Sequence, residues 1–362
     1  MKKSFLLYLA VFASLSLVAK AKRPHVLLMV SDDMSWNDVG YHGSRVKTPN
    51  IDQLAKEGVQ LDRFYVHPVC SPTRVALMTA RSPARFGVTG PMGRDQGVPV
   101  EERFLPQAFE AAGYQTFMVG KWHLGHSREG YLPLARGFDP FYGFLGGGVD
   151  YYTHMGPRRV DWQRNGKTVD EEGYTTDLFA DEAVRLLKNR DKERPVFLYL
   201  PFNAPHSPFQ APQALIQKYR GLGVFGRDIL RFACIDALDQ AIGRVLATLE
   251  EEAMAKDTLV IFFCDNGAGA GRRPLRGPAR ANNGQSLALR GGKGSVLEGG
   301  IRVPAVIRWP GVIQAGSTSQ QLLSAQDLFP TLATAAGIPH GIKQPLDGED
   351  LWKAIRGNRA MP

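Results

Sequence analysis

The chain predicts an α/β fold: one large sheet, mixed but mostly parallel, with helices on both faces. Three observations carry that expectation. Four short apolar runs are continuous rather than alternating, as strands buried on both faces are. Helix-patterned segments lie between them, so strands and helices alternate along the chain. The third is size: 362 residues, 44% of them apolar, supply a core for one large domain and a smaller second piece.

In chain order, the predicted strands are His25–Val30, Gln115–Val119, Val196–Leu200 and Leu259–Cys264. Apolar periodicity predicts helices over Asn50–Glu57, Leu105–Ala112, Tyr174–Asn189 and Asp228–Glu252, and a helix-like stretch at Ala325–Ala336. Glycine and proline crowd 143–157 and 267–294, which read as long loops beside a site rather than as linkers. The sequence shows no internal repeat.

Residues 1–21 carry an address. Lys2-Lys3, an apolar run from Phe5 to Val18 and the ending Ala19-Lys20-Ala21 form the pattern of a secretory signal peptide, too short for a membrane span. Export is therefore expected, and no later apolar run reaches membrane length. The formal charge of +9 invites a polyanion partner. Loss of Lys2, Lys3 and Lys20 lowers it to about +6, which makes nucleic acid a poor partner for an exported chain. That remainder matches Arg272, Arg273, Arg276, Arg280, Arg290 and Lys293, because no acid lies between Asn266 and Leu297. The excess is thus local, and it is expected to steer an anionic substrate. Three cysteines exclude a disulfide scaffold and a cysteine-rich zinc module; Cys234 and Cys264 read as buried small side chains.

In open α/β sheets, ligands bind beyond the carboxyl ends of the strands. The first strand runs into Asp32-Asp33, the second into Lys121-Trp122-His123, the third toward His206 and the fourth into Asp265-Asn266. Three carboxylates and a carboxamide make an all-oxygen set suited to a hard cation such as Ca²⁺ or Mg²⁺. Taken singly, each has an ordinary alternative: Asp33 as a cap, Asp265-Asn266-Gly267 as a turn, a strand-end histidine as a hydrogen-bonded one. Cys70, in Cys70-Ser71-Pro72-Thr73-Arg74, stands where a loop enters a helix, with Pro72 fitting the first turn. From residue chemistry alone it is equally a thiolate nucleophile or a small buried side chain.

Two signatures resolve this. Cys70-Ser71-Pro72-Thr73-Arg74 and Gly113-Tyr114-Gln115-Thr116-Phe117-Met118-Val119-Gly120-Lys121-Trp122-His123-Leu124-Gly125 resemble, in order and spacing, those of the type I sulfatases, the arylsulfatase B kind in particular. Trp36–Ser44, Leu289–Lys293 and Glu298-Gly299-Gly300 read like the same family.

The resemblance implies an alkaline-phosphatase-like sulfatase fold with a catalytic domain over 22–340. It implies that Cys70 is oxidised to formylglycine by a maturation enzyme. The hydrated aldehyde suits the chemistry: one hydroxyl attacks sulfur and the ionisation of the second expels sulfate, whereas a serine or thiol would remain sulfated. By motif, Asp32, Asp33, Asp265, Asn266 and residue 70 hold the metal, calcium first and magnesium as the alternative. Arg74 stabilises the developing charge, Lys121 and His123 orient and deprotonate the diol, and Lys293 binds a sulfate oxygen. His206, in Asn203-Ala204-Pro205-His206, is the expected acid for the leaving alcohol and a substrate contact.

This chain departs from the family in Thr79-Ala80-Arg81 for Thr-Gly-Arg, in an insertion at Arg272–Arg290, and in ending at Pro362. Residues 341–362 are accordingly expected to begin a shortened C-terminal subdomain. The expected function is hydrolysis of sulfate esters on glycosaminoglycan or other sulfated polysaccharide fragments. The rivals are a phosphoester or phosphonate hydrolase of the same superfamily and a non-catalytic remnant that binds sulfated glycans.

Overall fold

The four predicted strands stand next to one another. A computed structural model describes residues 23–93, 95–269 and 289–357. The expected signal peptide and Arg272, Arg273, Arg276 and Arg280 lie outside the described residues. The strands are β1 (His25–Ser31), β2 (Val59–Leu61), β3 (Phe64–Tyr65), β4 (Gln115–Lys121), β5 (Phe141–Phe144), β6 (Gln163–Arg164), β7 (Lys167–Thr168), β8 (Val196–Pro201), β9 (Thr258–Cys264), β10 (Ala305–Arg308), β11 (Ser317–Ser319) and β12 (Leu323–Ser324). Ten of them form one sheet in the order β11-β2-β10-β9-β1-β8-β4-β5-β6-β7, and β12 pairs with β3. The central β9-β1-β8-β4 block is parallel throughout, while β10 runs antiparallel to β9 and β2, and β5-β6-β7 is antiparallel. The sheet is therefore mixed but parallel at its core, as a continuous apolar pattern requires.

Each central strand extends beyond its apolar run: β1 takes in Ser31, β4 Gly120 and Lys121, β8 Pro201 and β9 Thr258. β4 carries on through Gly120 and Lys121, which register with Gly143 and Phe144. Gly120 has φ 131°, and a Cβ there would stand 2.0 Å from the Pro201 carbonyl oxygen, so only glycine lets β4 pass β8 at this point.

The helices are α1 (Pro49–Glu57), α2 (Cys70–Thr79), α3 (Leu105–Ala111), α4 (Thr175–Lys188), α5 (Gln213–Gly221), α6 (Arg227–Glu251), α7 (Glu298–Ile301), α8 (Leu328–Ala335) and α9 (Trp352–Gly357). The helix-like stretch from Ala325 is a 3₁₀ turn at Ala325–Asp327 leading into α8. One group packs around α6, which touches α1, α4 and α5; another joins α2, α3 and α8. Asp239 of α6 accepts the Asn50 and Ile51 N–H groups at 3.1 and 2.9 Å, which caps α1 from outside and fixes it to α6. At the far end of α2, Ala80 occupies the left-handed region (φ 55°) and its N–H bonds the Ala76 carbonyl. The alanine that departs from Thr-Gly-Arg thus puts a Cβ where glycine fits unstrained, at a cost of about 1 kcal/mol. All three cysteines are buried free thiols. Among the described residues no helix is long and apolar enough to cross a membrane.

Candidate active site

Strand register brings the acidic ends together. Ser31 of β1 lies opposite Cys264 of β9, so Asp32-Asp33 and Asp265-Asn266 leave the sheet side by side. The Asp265 N–H donates to the Ser31 carbonyl and the Asp32 N–H to the Ala204 carbonyl, both at 3.0 Å. These bonds tie three strand exits into one floor. Asp32, Asp265 and Asn266 are fully buried, and Asp33 is nearly so. Asp33 also holds a left-handed backbone, φ 72°, a conformation that carries strain and is kept where surroundings impose it.

On this floor Asp32 Oδ1, Asp265 Oδ1 and Asn266 Oδ1 are buried yet accept no hydrogen bond. Buried oxygens without a donor are expensive. Three from separate residues form an acceptor-only set, which fits a hard divalent cation better than any protein donor. Ligand atoms of Asp32, Asp33 and His206 lie within 4.8 Å of one another. Asp265 stands outside that tight group, and so does Cys70, whose sulfur faces His123 instead.

Each carboxylate is matched to a cation. Lys121 Nζ meets Asp32 Oδ2 at 2.5 Å, Arg74 Nη2 and Nε meet Asp265 Oδ2 at 2.8 and 3.0 Å, and Lys293 Nζ meets Asp33 Oδ1 at 2.6 Å. Arg74 Nη1 also donates to the Lys121 carbonyl at 2.8 Å. The expected contacts of Lys121 and Arg74 with residue 70 and of Lys293 with sulfate are therefore directed here at carboxylates. The reason is Coulombic, because buried charges seek the nearest opposite charge. Burial pushes Asp32 up, but Lys121 first, then His206, Lys293 and Arg74, hold its carboxyl well below the usual range. Asp265 ends the other way: burial and the neighbouring Asp32 charge outweigh Arg74 and Lys121 and push it up to about 7.

Cys70 opens α2 and Arg74 follows one turn later, so both project from one helix face. Cys70 Sγ lies 3.2 Å from His123 Nδ1. Burial raises the Cys70 thiol, so an unmodified cysteine is held as the weaker nucleophilic form. His123 is pushed well below the ordinary histidine value by burial and then by Lys121 and Arg74, which keeps its ring neutral. Its backbone is left-handed too, φ 58°, and Ser71 Oγ donates to its carbonyl at 3.1 Å. His206 Nδ1 lies 2.6 Å from the Ser207 carbonyl, which only accepts; Nδ1 thus carries the hydrogen, and Nε2 faces Asp33 Oδ2 at 3.9 Å. Burial lowers His206, against the Asp32 and Asp33 charges that raise it.

The ten residues singled out in the sequence fall into three linked sets: Asp32, Lys121, Arg74 and Asp265; Asp33, Lys293, His206 and Asn266, whose Nδ2 donates to Asp33 Oδ1 at 2.7 Å; and Cys70 with His123. Three supporting groups were not singled out. Ser71 lies within the Cys70–Arg74 motif, next to the cysteine. Tyr151 donates its hydroxyl to the Asn203 and His206 carbonyls at 2.9 and 2.8 Å, holding the His206 turn. Cys264, expected only to fill space, accepts the Met34 N–H at 2.9 Å and donates to the Asn266 carbonyl at 3.1 Å, bridging the two acidic segments. Ser71 alone had a signal, its place beside the cysteine.

A family model described as Sulfatase matches residues 24–338. This chain belongs to the sulfatase family. Within it, the chain is 35% identical over 356 residues to arylsulfatase J of Mus musculus, covering 95% of this chain and 58% of that protein. It is 34% identical over 364 residues to N-acetylgalactosamine-6-sulfatase of Homo sapiens, with 93% and 67% covered. A crystal structure of Ps i-CgsB in complex with k-i-k-neocarrahexaose matches with a TM-score of 0.85 and 34% identity, over 94% of this chain and 77% of that one. The chain thus spans well under the whole length of arylsulfatase J, 58% of it. The sheet, with its parallel centre and flanking helices, is that of the sulfatase, alkaline-phosphatase-like fold.

Proposed function

We propose that this protein is an exported sulfatase that hydrolyses sulfate esters on carbohydrates, using residue 70 after its oxidation to formylglycine by a maturation enzyme. One observation carries the reading: three buried, donor-free oxygens lie in a charge-matched floor that Arg74 reaches through Asp265, one helical turn from Cys70. Asp32, Asp33, Asp265, Asn266 and residue 70 would hold a divalent cation, calcium or magnesium. When bound it supplies positive charge for the ester's sulfate oxygens and lowers the cost of charge on residue 70.

The chain's own groups do the rest. His123, neutral and within hydrogen-bond reach of the side chain of residue 70, takes its proton; the Cys70 sulfur marks the place of the oxygen that would be there. Lys121 and Arg74 neutralise Asp32 and Asp265 and keep the floor from repelling an anion. Lys293, partly exposed, can exchange Asp33 for a sulfate oxygen without a desolvation penalty as large as a deep lysine would incur. His206 presents Nε2 toward the same side as Asp33, and a bound anionic ester raises its affinity for the proton it delivers to the leaving alcohol.

The names of the relatives, N-acetylgalactosamine-6-sulfatase and a protein crystallised with k-i-k-neocarrahexaose, support a sulfated sugar as substrate. The signal-peptide pattern of residues 1–21 supports export. Ion chromatography of sulfate released from defined sulfated mono- and oligosaccharides tests the reading. Matured protein should release sulfate from at least one of them and Cys70→Ala from none; equal release by both would exclude residue 70 as nucleophile.

A further inference from the structure

Two histidines of the site share an unassigned neighbour, the glycine segment that follows β5. A Cβ built on Gly147 would stand 2.9 Å from both Cε1 and Nε2 of His123, and one on Gly148 would stand 3.2 and 3.3 Å from Nδ1 and Cε1 of His206. Neither glycine has a left-handed backbone. The conformation therefore tolerates a side chain, and what requires glycine is the closeness of the two imidazoles.

The His123 ring is confined on two sides. Nδ1 faces Cys70 Sγ at 3.2 Å, and the Cβ position of Gly147 crowds the ring from another direction, 2.9 Å from Cε1 and Nε2 and 3.5 Å from Nδ1. The ring's own backbone is pinned by Ser71 Oγ on its carbonyl and by its N–H on the Leu145 carbonyl at 3.1 Å. A methyl group at 147 would have to push the imidazole or displace a segment held by Asp161, which accepts the Leu145 and Gly146 N–H groups at 3.1 and 2.7 Å. The same segment continues to Tyr151, whose hydroxyl holds the His206 carbonyl. One stretch of chain thus touches the base at residue 70 and the acid over the leaving group.

We infer that Gly147 is a positioning residue: its bare backbone seats His123 against residue 70, and Gly148 does the same, less tightly, for His206. This rests on the sulfatase reading for its kinetic consequence but not for its geometry. A displacement of about 1 Å at a reacting group costs on the order of 100-fold in rate.

The test compares Gly147→Ala, Gly148→Ala and, as a remote control, Gly221→Ala, whose Cβ meets nothing within 4 Å. Each is made in the full chain, co-produced with a formylglycine-generating enzyme, assayed on 4-nitrophenyl sulfate and observed by NMR with ¹³Cε1-labelled histidine. In Gly147→Ala kcat should fall on the order of 100-fold with KM changed by less than about threefold, and the His123 resonance should move. Gly148→Ala should move the His206 resonance with a smaller loss of kcat, and Gly221→Ala should change neither. An unmoved His123 resonance with wild-type kcat in Gly147→Ala overturns the inference. Should that variant fail to fold, Gly148→Ala decides alone: an unmoved His206 resonance overturns the inference. A moved resonance in a protein that hydrolyses no sulfate ester upholds the positioning and refutes the sulfatase reading instead.

Discussion

Lys121 and Asp32 meet with no exposure of either side chain, whereas Lys293 and Asp33 make the same kind of pair with 21% and 12% of theirs exposed. Arg74 and Asp265 belong with the first, at zero exposure, and His206, 21% exposed, with the second. The deep half is carried by strands β1, β4 and β9 and helix α2, which backbone bonds and packing hold. The outer half hangs on loops that lead away from the sheet. The difference separates two tasks. On the proposed function, the deep pairs would set a fixed field around residue 70, and the outer groups would change partner when a substrate arrives.

The largest effect should come from the deep half. Asp265→Ala would remove a proposed cation ligand and leave Arg74 buried without its carboxylate, a loss of stability of about 3–5 kcal/mol. Asp265→Asn keeps the shape and isolates the charge; calcium affinity by titration calorimetry and sulfate release should both drop, the latter by at least about 1,000-fold. Retention of both would show that the strand-end site is misplaced.

In the outer half, His206→Asn should lower kcat by about 100–1,000-fold on a sugar sulfate, whose alkoxide needs a proton. On 4-nitrophenyl sulfate, with its good leaving group, the loss should be far smaller, and calcium affinity should stay unchanged. Equal losses on both esters would remove His206 from the acid role. Lys293→Gln should raise KM and reduce kcat/KM by about 10–100-fold through one charge-assisted contact, with little change in Tm because the lysine is partly solvated. If its melting point fell as far as that of Asp265→Asn, the division between the halves would not hold. Smallest is steering: changing Arg272, Arg273, Arg276 and Arg280 to Gln should lower kcat/KM on a polysulfated glycan by about tenfold at low salt and by nothing at high salt. The same deficit at both salt concentrations would exclude long-range attraction.

This division also explains what could be read from the sequence. The deep half was legible because buried parallel strands write continuous apolar runs, and the first charged residue after each run, Asp32, Lys121 or Asp265, marks the sheet's edge. The runs understated their strands wherever a ladder continued through Gly120-Lys121 or Ser31. Cys70 and Arg74 were legible as a motif, not from periodicity. The outer contacts were less so. That Lys293 sits on Asp33 depends on tertiary proximity across 260 positions of sequence. Gly147, Tyr151 and Cys264 act through a backbone edge, a phenol on a carbonyl and a thiol on an amide, and none of these leaves a mark in local sequence.

The mass of residue 70 tests the central claim most directly. In protein produced with a formylglycine-generating enzyme, the tryptic peptide Phe64–Arg74 should be about 18 Da lighter than its cysteine form, the change from thiol to aldehyde. A peptide that keeps the full cysteine mass and an alkylatable thiol, in protein that still releases sulfate, would contradict the account.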